Sequence, residues 1–379
     1  MSTMKILHLI QSTNLGGMQQ SMYTLIRNLH GRGYEFTVVA LYPLGKGKQI
    51  LDDMGVPAFG NPYWGKFGLL SHHLYRREVK RHRPDLVLVT GPSVGNCWAA
   101  STFQHIPKVL TVHFHHGTSG WDRSCWQIFY RIFSRFFDKI IFNSDFLREE
   151  AGSIFPPLQS RSQTIPLPIS IPSIVTEKER AQARMALGLG QKTQVIGNAG
   201  WLIERKRFDV LLRVAAALAQ NHDNLEVVIA GSGKLEGALR TLAEELGIAP
   251  RVRWLGWQTD LTNFYRSLDI LLFNSDADAL GRTPLEAMAH GIPVVASVCY
   301  GGGLGETLRH QENGFLLPTH DGMRLAGYCD ALLKEQELAS RIGLAGREMI
   351  IARHHPERVV NIYRAIFDKL VYDRQASRQ

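Results

Sequence analysis

Short apolar runs alternate with amphipathic stretches along the chain, and the alternation starts twice. The first series is KILHLI (5–10), FTVVALY (36–42), LVLVT (86–90), VLTV (109–112) and IIF (140–142). The second is VIGNAG (195–200), LEVVIAG (225–231), VRWLG (252–256), DILLF (269–273), IPVVAS (292–297) and GFLLP (314–318). Runs of this kind suit strands buried on both faces, as in a parallel sheet. Parallel neighbours cannot be joined by a hairpin, so helices must lie between them. Helical spacing occurs where it is needed: Met18, Met22, Leu25, Ile26 and Leu29 form one stripe, and Phe208, Leu211, Leu212 and Ala215 another. The pattern predicts an α/β chain of two doubly wound, Rossmann-like domains facing each other across a cleft.

The two series are separated by FPPLQSRSQTIPLPISIPS, with five prolines and few charges, which reads as a linker. It sets a first domain at 1–170 and a second at 171–355. The last helix, about 356–372 of a tail reaching 379, is expected to return to the first domain. A chain of 379 residues is comfortable for two cores.

A formal charge of +9 calls for an anionic partner. Nucleotide phosphates, acidic lipid and nucleic acid all qualify, but no nucleic-acid reader motif is present and none is expected to bind. Cys97, Cys125, Cys299 and Cys329 lack metal-type spacing and read as reduced thiols in a cytosolic protein. The start, MSTMKILHLIQ, runs straight into a strand, so no signal peptide is expected, and no apolar run is long enough for a bilayer. Leu69 to Arg83 is a basic helix candidate with Arg76, Arg77, Lys80 and Arg81 on one face, opposed by Glu78. A solvated face explains it more simply than a lipid contact. The aromatics of Trp126 to Lys139 are read as core in preference to a membrane anchor.

The stretch NSDADALGRTPLEAMAHGIPVVAS (274–297) carries the most chemistry. Thr283 is a suitable N-cap, Pro284 a suitable first helical residue, and Gly291 with Pro293 a stop. The N–H groups of Arg282 to Leu285 would then face an anion, bracketed by Asp278 and Glu286. Two plainer readings stay open. Thr283 and Glu286 have capping-box spacing, and Asp278 can be a solvated loop residue. Asp276-Ala277-Asp278 can hold a divalent cation, but no further oxygen ligands stand out, so no metal is expected. Gly16-Gly17, after the first strand, lets a ligand approach the backbone without being a dinucleotide fingerprint. His113 sits at a strand's carboxyl end, where such sheets bind ligands; a zinc site from His113, His115 and His116 lacks a fourth ligand.

Together these motifs resemble the GT-B fold glycosyltransferases of the large retaining family 4, in which bacterial cell-surface sugar transferases are common. Gly16-Gly17 is similar to that family's glycine loop, and SDADALGRTPLEAMAHGIPVVAS to its signature of two glutamates separated by seven residues. Gly302-Gly303-Leu304-Gly305-Glu306 and Glu312-Asn313-Gly314-Phe315 resemble the elements that follow. The resemblance implies retaining transfer of a hexosyl unit from a nucleotide-sugar, a UDP-sugar ahead of GDP-mannose, with no metal or other cofactor. The acceptor would be a glycan or lipid-linked hydroxyl in bacterial surface polysaccharide or lipopolysaccharide synthesis. It places Glu286 on the ribose, Arg205 and Lys206 on the diphosphate, and the amides of Gly281, Arg282 and Thr283 towards phosphate and sugar. Asp278 stands for a glutamate that contacts the donor sugar, His113 for a histidine near its outer hydroxyls, and Gly16 and Gly17 lie near sugar and diphosphate. Backbone near Gly256-Trp257 would hold the base. Asp278, His113, Lys206 and Arg205 are thus the catalytic candidates. Trp201 stands where many relatives have arginine, so Arg205, Arg207 or Arg282 is expected to supply that charge. A cytoplasmic protein, peripheral on the anionic inner face of the plasma membrane, is expected. Two other classes remain: a nucleotide-sugar epimerase or phosphorylase on the same scaffold, or a non-catalytic nucleotide-sugar or glycan binder, which the departures at Asp278 and Trp201 would suit.

Overall fold

A computed structural model describes residues 3–14, 16–64, 70–117, 119–318 and 321–376. Leu69, the first residue of the expected basic helix, lies outside them. Among the described residues every named strand belongs to one of two sheets, and all pairings within them are parallel. The first sheet holds β1 (Met4–Ile10), β2 (Tyr34–Ala40), β3 (Ala58–Gly60), β4 (Leu86–Thr90), β5 (Lys108–Val112), β6 (Lys139–Phe142) and β7 (Ser162–Thr164). Their order is β3-β2-β1-β4-β5-β6-β7. The second holds β8 (Gln194–Ala199), β9 (Leu225–Ala230), β10 (Val252–Gly256), β11 (Ile270–Phe273), β12 (Val294–Ser297) and β13 (Phe315–Leu317), in the order β10-β9-β8-β11-β12-β13. The doubly wound α/β reading of both halves therefore holds.

The strands are apolar because both faces are covered. Leu86 to Val89 and Ile270 to Leu272 are fully buried. In each sheet the winding reverses beside the first strand, between β1 and β4 and between β8 and β11. Loops leaving the carboxyl ends at such a point diverge and leave room for a ligand.

The chain forms two compact units, one of Met1–Pro168 with Pro356–Gln379, the other of Ile169–His355. The proline-rich stretch is more than a linker. Pro156–Arg161 is a 3-10 turn, and Ser162–Thr164 adds β7 beside β6. Only after Pro168 does the chain pass to the second unit, where Ile169 N–H donates to His354 O at 3.0 Å. The chain returns there: Pro356 opens the helix Pro356–Ala376, a position where its missing N–H costs nothing. Val359, Val360, Tyr363 and Phe367 of this helix are buried in the core of the first unit with Leu25, Ile26 and Leu29. Its polar edge is fixed by Tyr34 OH to Asp368 at 2.6 Å and Arg374 to Asp138 at 3.0 Å. Among the described residues no helix is long and apolar enough to cross a membrane.

Phe367 is completely buried. Phe367→Ala should cost about 3–5 kcal/mol. Hydrogen exchange should show the loss in β1, β2 and the helix Gly17–Leu29, with Ile169–His355 unchanged.

Candidate active site

In the second unit, the loops after β8 and β11 are stitched together by the backbone. Asp276 N–H donates to Arg205 O at 2.8 Å, and Ser275 Oγ bonds Arg205 O and Ala277 O, both at 3.1 Å. Arg205 Nη1 reaches Ala277 O at 3.2 Å. Arg207 adopts left-handed backbone (φ 45°), costly for a side-chain-bearing residue. Its guanidinium is held by both oxygens of Asp209 at 3.0 Å and by Asp276 at 3.3 Å. Those carboxylates raise its pKa above the ordinary arginine value, burial opposing them. The turn Glu204–Lys206 is thereby fixed, and Lys206 Nζ forms an ion pair with Asp278, both largely buried, near the face of Phe273 (5.5 Å). Asp276 and Asp278 are thus both held by cations. Among the described residues no group of three or more His, Cys, Asp or Glu is placed to hold a metal.

The helix after this loop runs Arg282–Ala289. It starts two residues before the sequence expectation, because Gly281, at φ 74°, is the N-cap. Thr283 is therefore not the cap, and no capping box forms with Glu286. Thr283 Oγ1 instead donates to Ala199 O at 3.0 Å, tying the helix start to the end of β8. Glu286 uses both oxygens sideways: Arg282 Nε lies at 2.6 Å and Tyr265 OH at 2.7 Å. Burial, then the Glu286 charge, pushes the Tyr265 phenol well up, so it stays protonated and donates. The helix start carries no side-chain cap, leaving its N–H groups suited to an anion. Behind it Gly301 is required, since a Cβ there would lie 2.2 Å from Asp278 O. Trp257, after β10, packs against Trp201, after β8, with ring centres 4.4 Å apart and the planes tilted by 34°.

In the first unit, Gly16 is the extended N-cap of the helix Gly17–Leu29. His113 ends a buried hydrogen-bond chain. Its Nε2 meets Thr111 Oγ1 at 2.9 Å, Thr111 donates to Thr90 at 3.3 Å, and Thr90 meets His8 Nε2 at 2.7 Å. In the arrangement where Thr111 donates to Thr90, His113 Nε2–H is the donor and the lone pair lies on Nδ1. Nδ1 is buried without a hydrogen-bond partner in the described structure. Burial lowers the His113 pKa to about 4; burial, then His113, lowers that of His8 to about 3. His116 is locked between Glu150 at 2.5 Å and Tyr130 OH at 2.7 Å.

This architecture has known counterparts. Residues 15–171 match Glycosyltransferase Family 4, and residues 179–349 match Glycosyl transferases group 1. The chain belongs to the GT-B glycosyltransferases of the family 4 type. A D-inositol 3-phosphate glycosyltransferase of Mycobacterium sp. (strain KMS) is 34% identical over 203 residues, 52% of this chain and 45% of that protein. The lipopolysaccharide core biosynthesis glycosyltransferase LpsE of Rhizobium meliloti (strain 1021) is 28% identical over 169 residues, 45% of this chain and 48% of that one. The matched stretch thus spans about half the length of these curated relatives. Anabaena HepE, solved in complex with UDP-glucose, superimposes with a TM-score of 0.82 at 21% identity, covering 97% of this chain and 100% of its own. WaaG, a glycosyltransferase involved in lipopolysaccharide biosynthesis, gives 0.71 at 16% identity, covering 94% and 99%. These two likenesses concern the fold.

Within the family 4 scaffold, the second unit brings together Arg205, Lys206, Asp278, Gly281, Arg282, Thr283 and Glu286, with Trp257 at the end of β10. Gly16, Gly17 and His113 belong to the first unit. Of the three arginines proposed to replace the one missing at Trp201, Arg207 and Arg282 are committed to carboxylates. Arg205 is exposed, and no carboxylate partner is found for it among the described residues. Sequence reasoning missed Tyr265, Thr111, Thr90 and His8. Only Tyr265 had a local signal, as an aromatic beside the strand DILLF.

The histidine geometry predicts two measurements. In ¹⁵N spectra His113 should show an unprotonated Nδ1 and a protonated Nε2 at pH 7. The unfolded chain takes up protons below the ordinary histidine pKa of 6.5, while the folded chain refuses them down to about 3 at His8. Stability should be insensitive to His8 above pH 6.5 and fall as pH drops towards 3, by about 1.4 kcal/mol per pH unit. Urea titrations of His8→Gln should show a correspondingly shallower decline.

Proposed function

We propose that this chain is a retaining, metal-independent hexosyltransferase, using a nucleotide-sugar, with UDP-sugars favoured over GDP-mannose. The acceptor is a hydroxyl of a glycan or lipid-linked glycan in bacterial surface polysaccharide synthesis. The protein would work at the cytoplasmic, anionic face of the plasma membrane. The observation that carries the reading is the convergence of Lys206, Arg205 and an uncapped helix start, with Glu286 beside them, at the reversal point of the second sheet.

Cleavage of the donor's C1–O bond sends its electron pair to the β-phosphate oxygen. Arg205, Lys206 and the N–H groups of the helix Arg282–Ala289 meet that charge already in place. Glu286, oriented by Arg282 and Tyr265, offers carboxylate oxygens to the ribose hydroxyls. Asp278, held by Lys206, takes a hydroxyl of the donor sugar, and His113 Nδ1 accepts from another. The Trp257–Trp201 pair borders the base. The acceptor oxygen then attacks C1 on the face the phosphate leaves, and its proton passes to the departing phosphate. Resemblance to a protein named for lipopolysaccharide core biosynthesis supports the acceptor class.

Calorimetry with UDP, GDP, ADP and their sugar conjugates, with and without divalent metal, should find tight, metal-independent binding of one nucleoside diphosphate. Release of that diphosphate should require acceptor. Lys206→Ala and Glu286→Ala should each lower turnover at least about 100-fold while the chain stays folded by circular dichroism. Normal turnover in either variant removes its assigned role. Binding without acceptor-dependent release would favour the non-catalytic binder.

A further inference from the structure

The helix Gly120–Phe133 has two apolar faces, of which the fold uses one. Tyr130 and Phe133 are buried, and half-buried Trp126 packs edge-on to His116, with centres 4.6 Å apart. The second face is in solvent. Trp121 is 77% exposed, Ile128 59% and Ile132 43%, and Cys125 is exposed between them. Their offsets of 0, 4, 7 and 11 place all four on one line along the helix. Arg131 and Arg135 are exposed beside this line, with Arg135 over the ring of Phe136 and no carboxylate partner for either among the described residues. The acid of the helix, Asp122, is spent in the capping box with Ser119.

We propose that this face lies in the headgroup layer of an anionic bilayer. A narrow apolar line ending in a tryptophan, bordered by unneutralised arginines, suits an interface that is apolar below and negative above. The chain's formal charge of +9 acts in the same direction. The basic stretch that the sequence offers for this task is already partly used. Arg76 lies over Trp98 at 5.0 Å, and Arg81 pairs with Glu78 at 2.9 Å. The inference deepens the proposed function by naming the surface on which a lipid-linked acceptor is met, and it rests on that reading only there.

Cys125 makes the test specific, because Cys97, Cys299 and Cys329 are buried. An environment-sensitive fluorophore on Cys125 of the full chain is titrated with vesicles of phosphatidylcholine, with or without phosphatidylglycerol. No sugar donor is present, so failure here is separate from failure of the transferase reading. The emission should shift to the blue with the anionic vesicles and stay unchanged with neutral ones. In cosedimentation, the unlabelled Trp121→Ser/Ile128→Ser double variant should bind anionic vesicles at least about tenfold more weakly, with an unchanged melting temperature since both sites are exposed. Arg131→Gln/Arg135→Gln should lose the salt-sensitive part of the binding. No shift with anionic vesicles at low salt overturns the proposal, as does equal binding by the apolar double variant. A shift that grows with protein concentration without lipid overturns it in favour of a second copy on this face.

Discussion

Parallel strand pairing is the constraint from which the rest follows. A strand laid parallel to its neighbour must be reached by a crossover, and the crossovers here are helices that cover both faces of each sheet. Every loop that leaves a strand's carboxyl end then emerges on the same edge. The winding reverses beside β1 in one sheet and beside β8 in the other, so adjacent loops part there. The residues with the most chemistry in the second unit leave β8 and β11, the two strands that flank the reversal. They are far apart in sequence and become neighbours only through this wiring.

Charges around that edge are arranged in opposed pairs, Lys206 with Asp278, Arg282 with Glu286, and Arg207 with Asp209 and Asp276. Half-buried ions are expensive to place alone. Each pair therefore fixes the direction of its partner before any ligand arrives, and an incoming anion would meet cations that need little reorganisation. Arg205 is the exception, exposed and bonded to a carbonyl, so its charge remains available.

The strands were legible because burial on both faces leaves uninterrupted apolar runs. The two that escaped, Ala58–Gly60 and Ser162–Thr164, are three-residue edge strands, and the second is polar and hidden behind a Pro-Pro step. The helix start at 282 was misplaced by two residues because Thr283 obeys the usual N-cap preference, while Gly281 has the backbone freedom that decides the matter. Glu286 was identified as a candidate, but its partners were not. Arg282 sits one helical turn away and could be foreseen, whereas Tyr265 is brought in by packing. The same holds for His8 and His113, joined across three strands through two threonines. Local pattern reports which face of an element is buried; it does not report which polar groups meet inside.

The two crossings between units lie side by side, Ile169 bonded to His354, and the helix Pro356–Ala376 completes the core that β1 began. The second unit is thus one continuous insertion within the first. During synthesis on the ribosome, Ile169–His355 can close as soon as it has emerged. The unit whose strands are made first must wait, with the groove that receives Val359, Tyr363 and Phe367 open, until the segment Pro356–Ala376 has emerged. The first unit is therefore begun before the second and finished after it, and it is the part most in need of protection while translation continues.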